Sequence, residues 1–238
     1  MPRFYVPPDR VSGGSLSLEG AEWKHARQVL RLRRGDRFTA IDGTSREYLA
    51  ELHTVEVSRG TARILEVREV SREPSIRVTL YQALIKAPRL EYVVEKATEI
   101  GVAAIIPLIT ARSAPLQWGH ARETRWNSIV RSASCQSGRT IFPGLSAPVS
   151  LGDALSRAAG GTMLFFSPDE GTGAAMRSMD SIPEGSDYHV FIGPEGGFSG
   201  TEWRAALERG ALEITLGSRV LRAETAALVC CSLLIYRR

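Results

Sequence analysis

Tyr188-His189-Val190-Phe191-Ile192-Gly193-Pro194-Glu195-Gly196-Gly197-Phe198-Ser199-Gly200 is the stretch on which the fold turns. Tyr188 to Ile192 is a short run rich in aromatic and β-branched residues, the composition of a buried strand. The run stops at Gly193-Pro194, and the loop to Phe198 holds three glycines and a proline. Such a loop specifies a fixed turn whose backbone can come close to a neighbour or a ligand. Ser199 and Glu202 then form a capping-box pattern, and Gly210 ends the helix they start. Thr162–Gly173 and Leu212–Thr225 also carry an apolar strand into a glycine-bearing loop, and the second opens a final helix over Thr225 to Tyr236.

Working towards the N-terminus, Ile76 to Ile85 predicts another buried strand. Leu90, Val93, Val94, Ala97 and Ile100 recur at helical spacing before Gly101, and Val102 to Ile109 is the next strand. Arg122 to Ser137 predicts a helix with Trp126, Ile129, Val130 and Ala133 inward. Ser150 and Asp153 suit the start of a short helix before Gly160-Gly161. Strands alternating with helices imply an α/β fold with a parallel sheet, and ligands in such sheets bind where strand carboxyl ends meet loops.

The first seventy residues differ in texture. Glu22 to Leu32 reads as a short helix with Trp23, Ala26, Val29 and Leu30 on one side, closed by Gly35-Asp36. Phe38 to Ile41 leads into an Asp42-Gly43 turn, and Tyr48 to Val57 and Thr61 to Val70 follow at the close spacing of a barrel or meander. Ser71-Arg72-Glu73-Pro74-Ser75 is the candidate linker. The expected division is a β-barrel over residues 1–72 and an α/β domain over 73–238.

Composition narrows the class. Of 238 residues, 43% are hydrophobic and 24% charged, enough apolar material for a folded core. The N-terminus lacks the basic start and apolar stretch of a signal peptide, and the apolar run from Ala226 to Tyr236 is too short to span a membrane. A cytoplasmic protein without a membrane partner is therefore expected. Cys135, Cys230 and Cys231 form no metal-ligand pattern, no His/Cys cluster implies zinc, and a reducing compartment suits such thiols. The net charge of +4 favours polyanions modestly. Only Lys24, Lys86 and Lys96 among the thirty basic residues are lysines, a bias that a G+C-rich genome explains.

The second informative segment runs Leu216-Gly217-Ser218-Arg219-Val220-Leu221-Arg222-Ala223-Glu224-Thr225-Ala226-Ala227. Glu224 suits the positive end of the helix that opens here, whereas Arg222 does not. Arg222 either forms a salt bridge with Glu224 or points at a phosphate or a developing negative charge. Other motifs fail. Gly171-x-Gly173 lacks the third glycine of a dinucleotide fingerprint, Met176 standing in its place. There is no Walker sequence, Ser137 has no triad companions, and His25, His53, His120 and His189 are dispersed.

Together, Ile-Gly-Pro-Glu-Gly-Gly-Phe and Leu-Gly-x-Arg-Val-Leu-Arg-x-Glu-Thr-Ala resemble the bacterial ribosomal RNA small subunit methyltransferase E family. The resemblance extends to His25-Ala26-x-x-Val29-Leu30-Arg31-Leu32, Lys96-Ala97-Thr98-Glu99-Ile100-Gly101-Val102 and Gln136-Ser137-x-Arg139. It implies a SPOUT-type parallel sheet with a C-terminal trefoil knot behind a small PUA-like β-barrel. The implied activity is methylation of uridine N3 in 16S ribosomal RNA with S-adenosyl-L-methionine, by a homodimer acting on the RNA or the assembled small subunit. Ser218 replaces a usual proline, and Cys135 a usual acidic residue. The other expectations to weigh are an RNA-binding protein with an inactive knot domain, or a SPOUT methyltransferase acting on another RNA position.

Carried residue by residue, the resemblance implies cofactor contacts at Phe166, Ser167, Ile192, Gly193, Gly196, Gly197, Leu216, Gly217, Leu221, Arg222 and Thr225. Uridine N3 must lose a proton to become a nucleophile, so the site needs a base or a group that stabilises the anion. Arg222 is the expected electrostatic group, and Glu195 or Glu224 the candidate proton acceptor. RNA contacts are expected among Arg3, Arg27, Arg31, Arg33, Arg34, Lys86, Arg89, Lys96, Arg112 and Arg139.

Overall fold

A computed structural model describes residues 1–166 and 178–236. The chain forms two compact units, one of Met1–Glu73 with Arg131–Phe142, the other of Pro74–Val130 with Pro143–Arg238. Among the described residues no helix is long and apolar enough to cross a membrane.

The first unit holds β1 (Arg3–Tyr5), β2 (Val11–Ser12), β3 (Ser15–Glu19), α1 (Gly20–Lys24), β4 (Arg37–Ile41), β5 (Arg46–Val55) and β6 (Arg59–Glu69). They make one six-stranded sheet in the order β1-β4-β5-β6-β3-β2, antiparallel except for β1 against β4. Register slips between Leu49 and Ala50, and between Leu52 and Thr54, bend the long β5–β6 pair and help the sheet curl. The alternating apolar residues Phe38, Ala40, Tyr48, Ala50, Leu52, Leu16 and Leu18 converge on Phe4, Val6 and Trp23. This is a curled half-barrel rather than a fully closed one.

The helix expected over Glu22 to Leu32 is broken. After the five residues of α1 the chain widens into a π turn over His25–Val29, with the amide of Leu30 donating to the carbonyl of His25 at 3.1 Å. The extra residue in the turn rotates the following side chains. Trp23 and Ala26 stay buried, but Val29 and Leu30, expected inward, are 68% and 41% exposed.

Residues Arg131–Phe142 belong to the same unit through several polar ties. Arg3 donates to the carbonyl of Cys135 at 2.9 Å, Ser45 donates to the carbonyl of Thr140 at 3.0 Å, and Arg72 donates to the carbonyl of Gly138 at 2.8 Å.

The second unit is built on a seven-stranded sheet that is parallel throughout. Its elements are β7 (Arg77–Ala83), α2 (Ala87–Ile100), β8 (Ala104–Ile109), α3 (His120–Ser137), β9 (Gly144–Leu145), β10 (Val149–Ser150), α4 (Leu151–Arg157), β11 (Thr162–Phe166), β12 (Asp187–Ile192), α5 (Gly200–Leu207), β13 (Leu212–Ile214) and α6 (Ala223–Ile235). The C-terminal residues of α3 lie in the first unit. The strand order is β10-β8-β7-β12-β11-β13, with β9 also beside β8.

Helices cover both faces. On one, Tyr81, Phe165 and Phe191 pack with Leu155 of α4 and Trp203 of α5. The Phe191 ring stacks at 4.4 Å on both Tyr81 and Phe165. Each such side chain contributes about 1.5–3 kcal/mol on burial. On the other face α6 packs against α2, β7 and β12. Cys230 and Cys231 are fully buried there, and burial pushes the Cys231 thiol up to about 12, so both serve as inert core residues. Strand side chains alternate, so Phe166 and Ile192, next after Phe165 and Phe191, turn towards α6. They are paired in register at the carboxyl ends of their strands, where β11 and β12 give way to loops.

Candidate functional site

A cavity of about 260 Å³ opens beside Phe166 and Ile192. This lies just under the span of about 300–1,000 Å³ common to small-molecule sites. Three separate segments line it. Phe166 ends β11. Ile192 ends β12, and Gly193, Pro194, Glu195 and Gly197 follow it. The third segment runs from Leu216 into the first turn of α6, ending at Ala226.

Each wall has a local reason for its shape. The amide of Gly197 donates to the carbonyl of Pro194 at 2.8 Å, closing a tight turn. At Gly193 a β-carbon would sit 3.3 Å from the backbone of Gly197 and from the Phe198 ring, so any side chain there would push the turn apart by a few tenths of an ångström. Thr215 Oγ1 accepts from the amide of Gly217 at 3.1 Å, and Gly217 has φ +94°, a conformation that side chains resist. Arg222 occupies the N-cap of α6 in extended backbone, exposed, and makes no ion pair among the described residues.

Two arginines hold the glycine turn from outside. Arg112 donates to the carbonyl of Gly196 at 2.6 Å. Arg89, in the first turn of α2, donates to Glu195 Oε1 at 3.1 Å and has its Nε 3.6 Å from Glu224 Oε1. The Arg222–Glu224 bridge considered from sequence is absent among the described residues, because Glu224 faces Arg89. The second oxygen of Glu224, Oε2, is buried without a hydrogen-bond partner.

The structure thus brings together most of the expected cofactor residues. Phe166, Ile192, Gly193, Gly197, Leu216, Gly217, Leu221 and Arg222 share the cavity, as does Glu195. Gly196 does not line it, since its carbonyl turns to Arg112. Thr225 is exposed on α6 and also lies outside the lining. Ser167, Gly171, Gly173 and Met176 lie outside the described residues. The lining residues missed from sequence are Pro194, Arg219, Val220, Ala223 and Ala226. Ala226 had a usable signal, since it follows Arg222 by one helical turn. His189 sits on β12 before the carboxyl end, and burial holds its imidazole below the ordinary value.

The residues expected at RNA separate by environment. Arg27, Arg31, Arg33, Arg34, Lys86 and Arg112 are exposed. Arg3 is half-buried and bonded to Cys135, and Lys96 pairs with Glu95 and Glu99 at 2.8 Å each. Arg139 is the exception in burial. It is 4% exposed and forms an ion pair with Glu73, so the buried guanidinium serves the first unit's packing.

The site suits an adenosyl-sulfonium cofactor. Phe166, Ile192, Leu216, Leu221 and Ala226 offer apolar walls for a planar base, and the glycine turns bring backbone polar groups within reach. The formal charges in the lining are Glu195, Arg219 and Arg222.

Comparison with known proteins agrees with this geometry. The RNA methyltransferase domain family matches residues 71–235, and the RNA methyltransferase PUA domain family matches residues 18–56. The chain is 34% identical over 237 residues to the ribosomal RNA small subunit methyltransferase E of Mycobacterium bovis, covering 95% of this chain and 88% of that protein. It is 32% identical to the protein of the same name from Synechocystis, over 95% of this chain and 75% of that one. Among solved structures, a methyltransferase from Legionella pneumophila with bound SAM superposes with a TM-score of 0.89 at 35% identity, covering 98% and 96% of the two chains. The methyltransferase E of Neisseria gonorrhoeae bound to S-adenosyl methionine gives 0.88 at 31% identity over the same shares.

Proposed function

The chain belongs to the ribosomal RNA small subunit methyltransferase E family, and on that premise we propose that it methylates N3 of a uridine in 16S ribosomal RNA. The observation that carries the reading is the cavity at the sheet's carboxyl edge, walled by two glycine turns with Arg222 at its rim. When bound there, S-adenosylmethionine supplies a methyl carbon on a sulfonium, whose C–S bond breaks with the electron pair left on sulfur.

The chain's own residues supply position and charge. The two rigid turns hold the methyl donor in place, so that much of the barrier is met by orientation. Arg222 sits at the positive end of α6, where helix and guanidinium together favour negative charge. That is the arrangement needed to stabilise a uridine anion spread over the base oxygens. Both candidate proton acceptors contact Arg89, but Glu195 lines the cavity and is 48% exposed whereas Glu224 lies outside the lining with its second oxygen buried, so Glu195 is the better placed of the two. The N3–H bond breaks towards the Glu195 carboxylate as the nitrogen pair turns to carbon.

The same reading includes a trefoil knot, a homodimer and a cytoplasmic setting. RNA is held by the first unit, where exposed Arg27 in the π turn and Arg31, Arg33 and Arg34 in the loop before β4 supply phosphate contacts.

Arg222→Ala tests the assignment. It is expected to lower kcat by about 100-fold, the scale of one transition-state donor, while S-adenosylmethionine binding by calorimetry changes by less than about tenfold. Collapse of cofactor affinity with kcat retained at saturation would show that Arg222 only binds.

A further inference from the structure

The geometry points to Arg89 as a positioning residue that sets the width of the cofactor cavity by tying its two carboxylate-bearing walls to one guanidinium. The inference rests on the methyltransferase reading and gives Arg89 a role within it. Glu195 stands in the turn after β12, and Glu224 in the first turn of α6. These two segments supply most of the cavity lining. Arg89 reaches both, through its Nη1 at 3.1 Å and its Nε at 3.6 Å.

Arginine suits this position because its planar fork offers donors along two edges, which a lysine ammonium cannot match. The charges also matter. One cation lies against two anions, and removing it leaves two carboxylates to repel across the cavity's margin. Arg89 and Glu195 are 36% and 48% exposed in their side chains, so their pair adds little to folding stability. Its effect should appear in the spacing of the walls, and therefore in cofactor binding. An arginine reserved for RNA phosphate would instead be exposed without carboxylate partners, as Arg33 and Arg34 are among the described ion pairs.

The test is Arg89→Met in the full chain, with cofactor affinity by calorimetry and RNA affinity across a salt series. The dissociation constant for S-adenosylmethionine is expected to rise about tenfold, with the thermal midpoint, RNA affinity and salt slope unchanged. Arg89→Lys should fall between wild type and Arg89→Met. Glu195→Gln, which removes the same pair from the other side, should weaken cofactor binding similarly, and the Arg89→Met/Glu195→Gln double variant should add little. Unchanged cofactor affinity in Arg89→Met overturns the proposal, as does additive loss in the double variant. If RNA affinity alone falls, with the salt slope reduced by about one, Arg89 is a phosphate contact. Failure of wild type to bind the cofactor would be a different result, sinking the methyltransferase reading itself.

Discussion

Arg222, Arg89 and Arg112 surround one cavity, yet each guanidinium meets a different fate. Arg222 has no carboxylate within ion-pair distance among the described residues and keeps its charge for whatever enters. Arg89 spends its charge on two glutamates, and Arg112 on a carbonyl. Placement, more than residue type, sets the role. Gly217 makes the same point for backbone. Its φ of +94° places its amide on Thr215 Oγ1, and a β-carbon would meet no atom within 4 Å. The obstacle to Gly217→Ala is therefore conformation rather than space, at a cost of about 1–2 kcal/mol. Gly217→Ala is expected to weaken S-adenosylmethionine binding by about tenfold by shifting the turn, measured by calorimetry. Unchanged affinity would mean that the turn does not shape the site.

The start of α5 shows a short helix being used as a fixing point. Glu202 accepts from the amide of Ser199 at 2.7 Å through one oxygen, and from the amide of Ala111 at 2.8 Å through the other. A single carboxylate thus caps the helix after the glycine turn and anchors the loop that carries Arg112. Glu202→Ala removes both bonds and should cost about 1–2 kcal/mol, lowering the thermal midpoint by a few degrees; an unaltered melt would refute the anchoring. The helices and strands of residues 76–236 were largely legible because their signals are local: β-branched runs, helical spacing and glycine stops. The final helix differs only slightly, beginning at Ala223 instead of Thr225. The segment after Trp23 was not legible, because α-helix and π turn share the same apolar spacing until the extra residue turns Val29 outward. The short strands β1 to β3 were missed as well, being two to five residues among prolines and glycines with too little periodicity to register. Within the site, the glycine walls could be read from motif and resemblance, whereas the Arg89 tie joins positions over a hundred residues apart and has no local signature.

Across the whole chain, the exposed arginines near residue 33 and the cofactor cavity belong to different compact units. Binding of RNA and of cofactor should accordingly be separable by mutation. Arg33→Glu with Arg34→Glu is expected to weaken RNA binding and lower its salt slope by about two, with S-adenosylmethionine affinity unchanged. Loss of both affinities together would argue against that separation. The cavity has a further property that follows from its three walls. Residues near 166, 194 and 222 must all be made before it can close, and the last of them belong to the helix after β13. During synthesis the emerging polypeptide thus completes the arginine-bearing first unit, which needs residues up to Phe142, well before the last cavity wall is made.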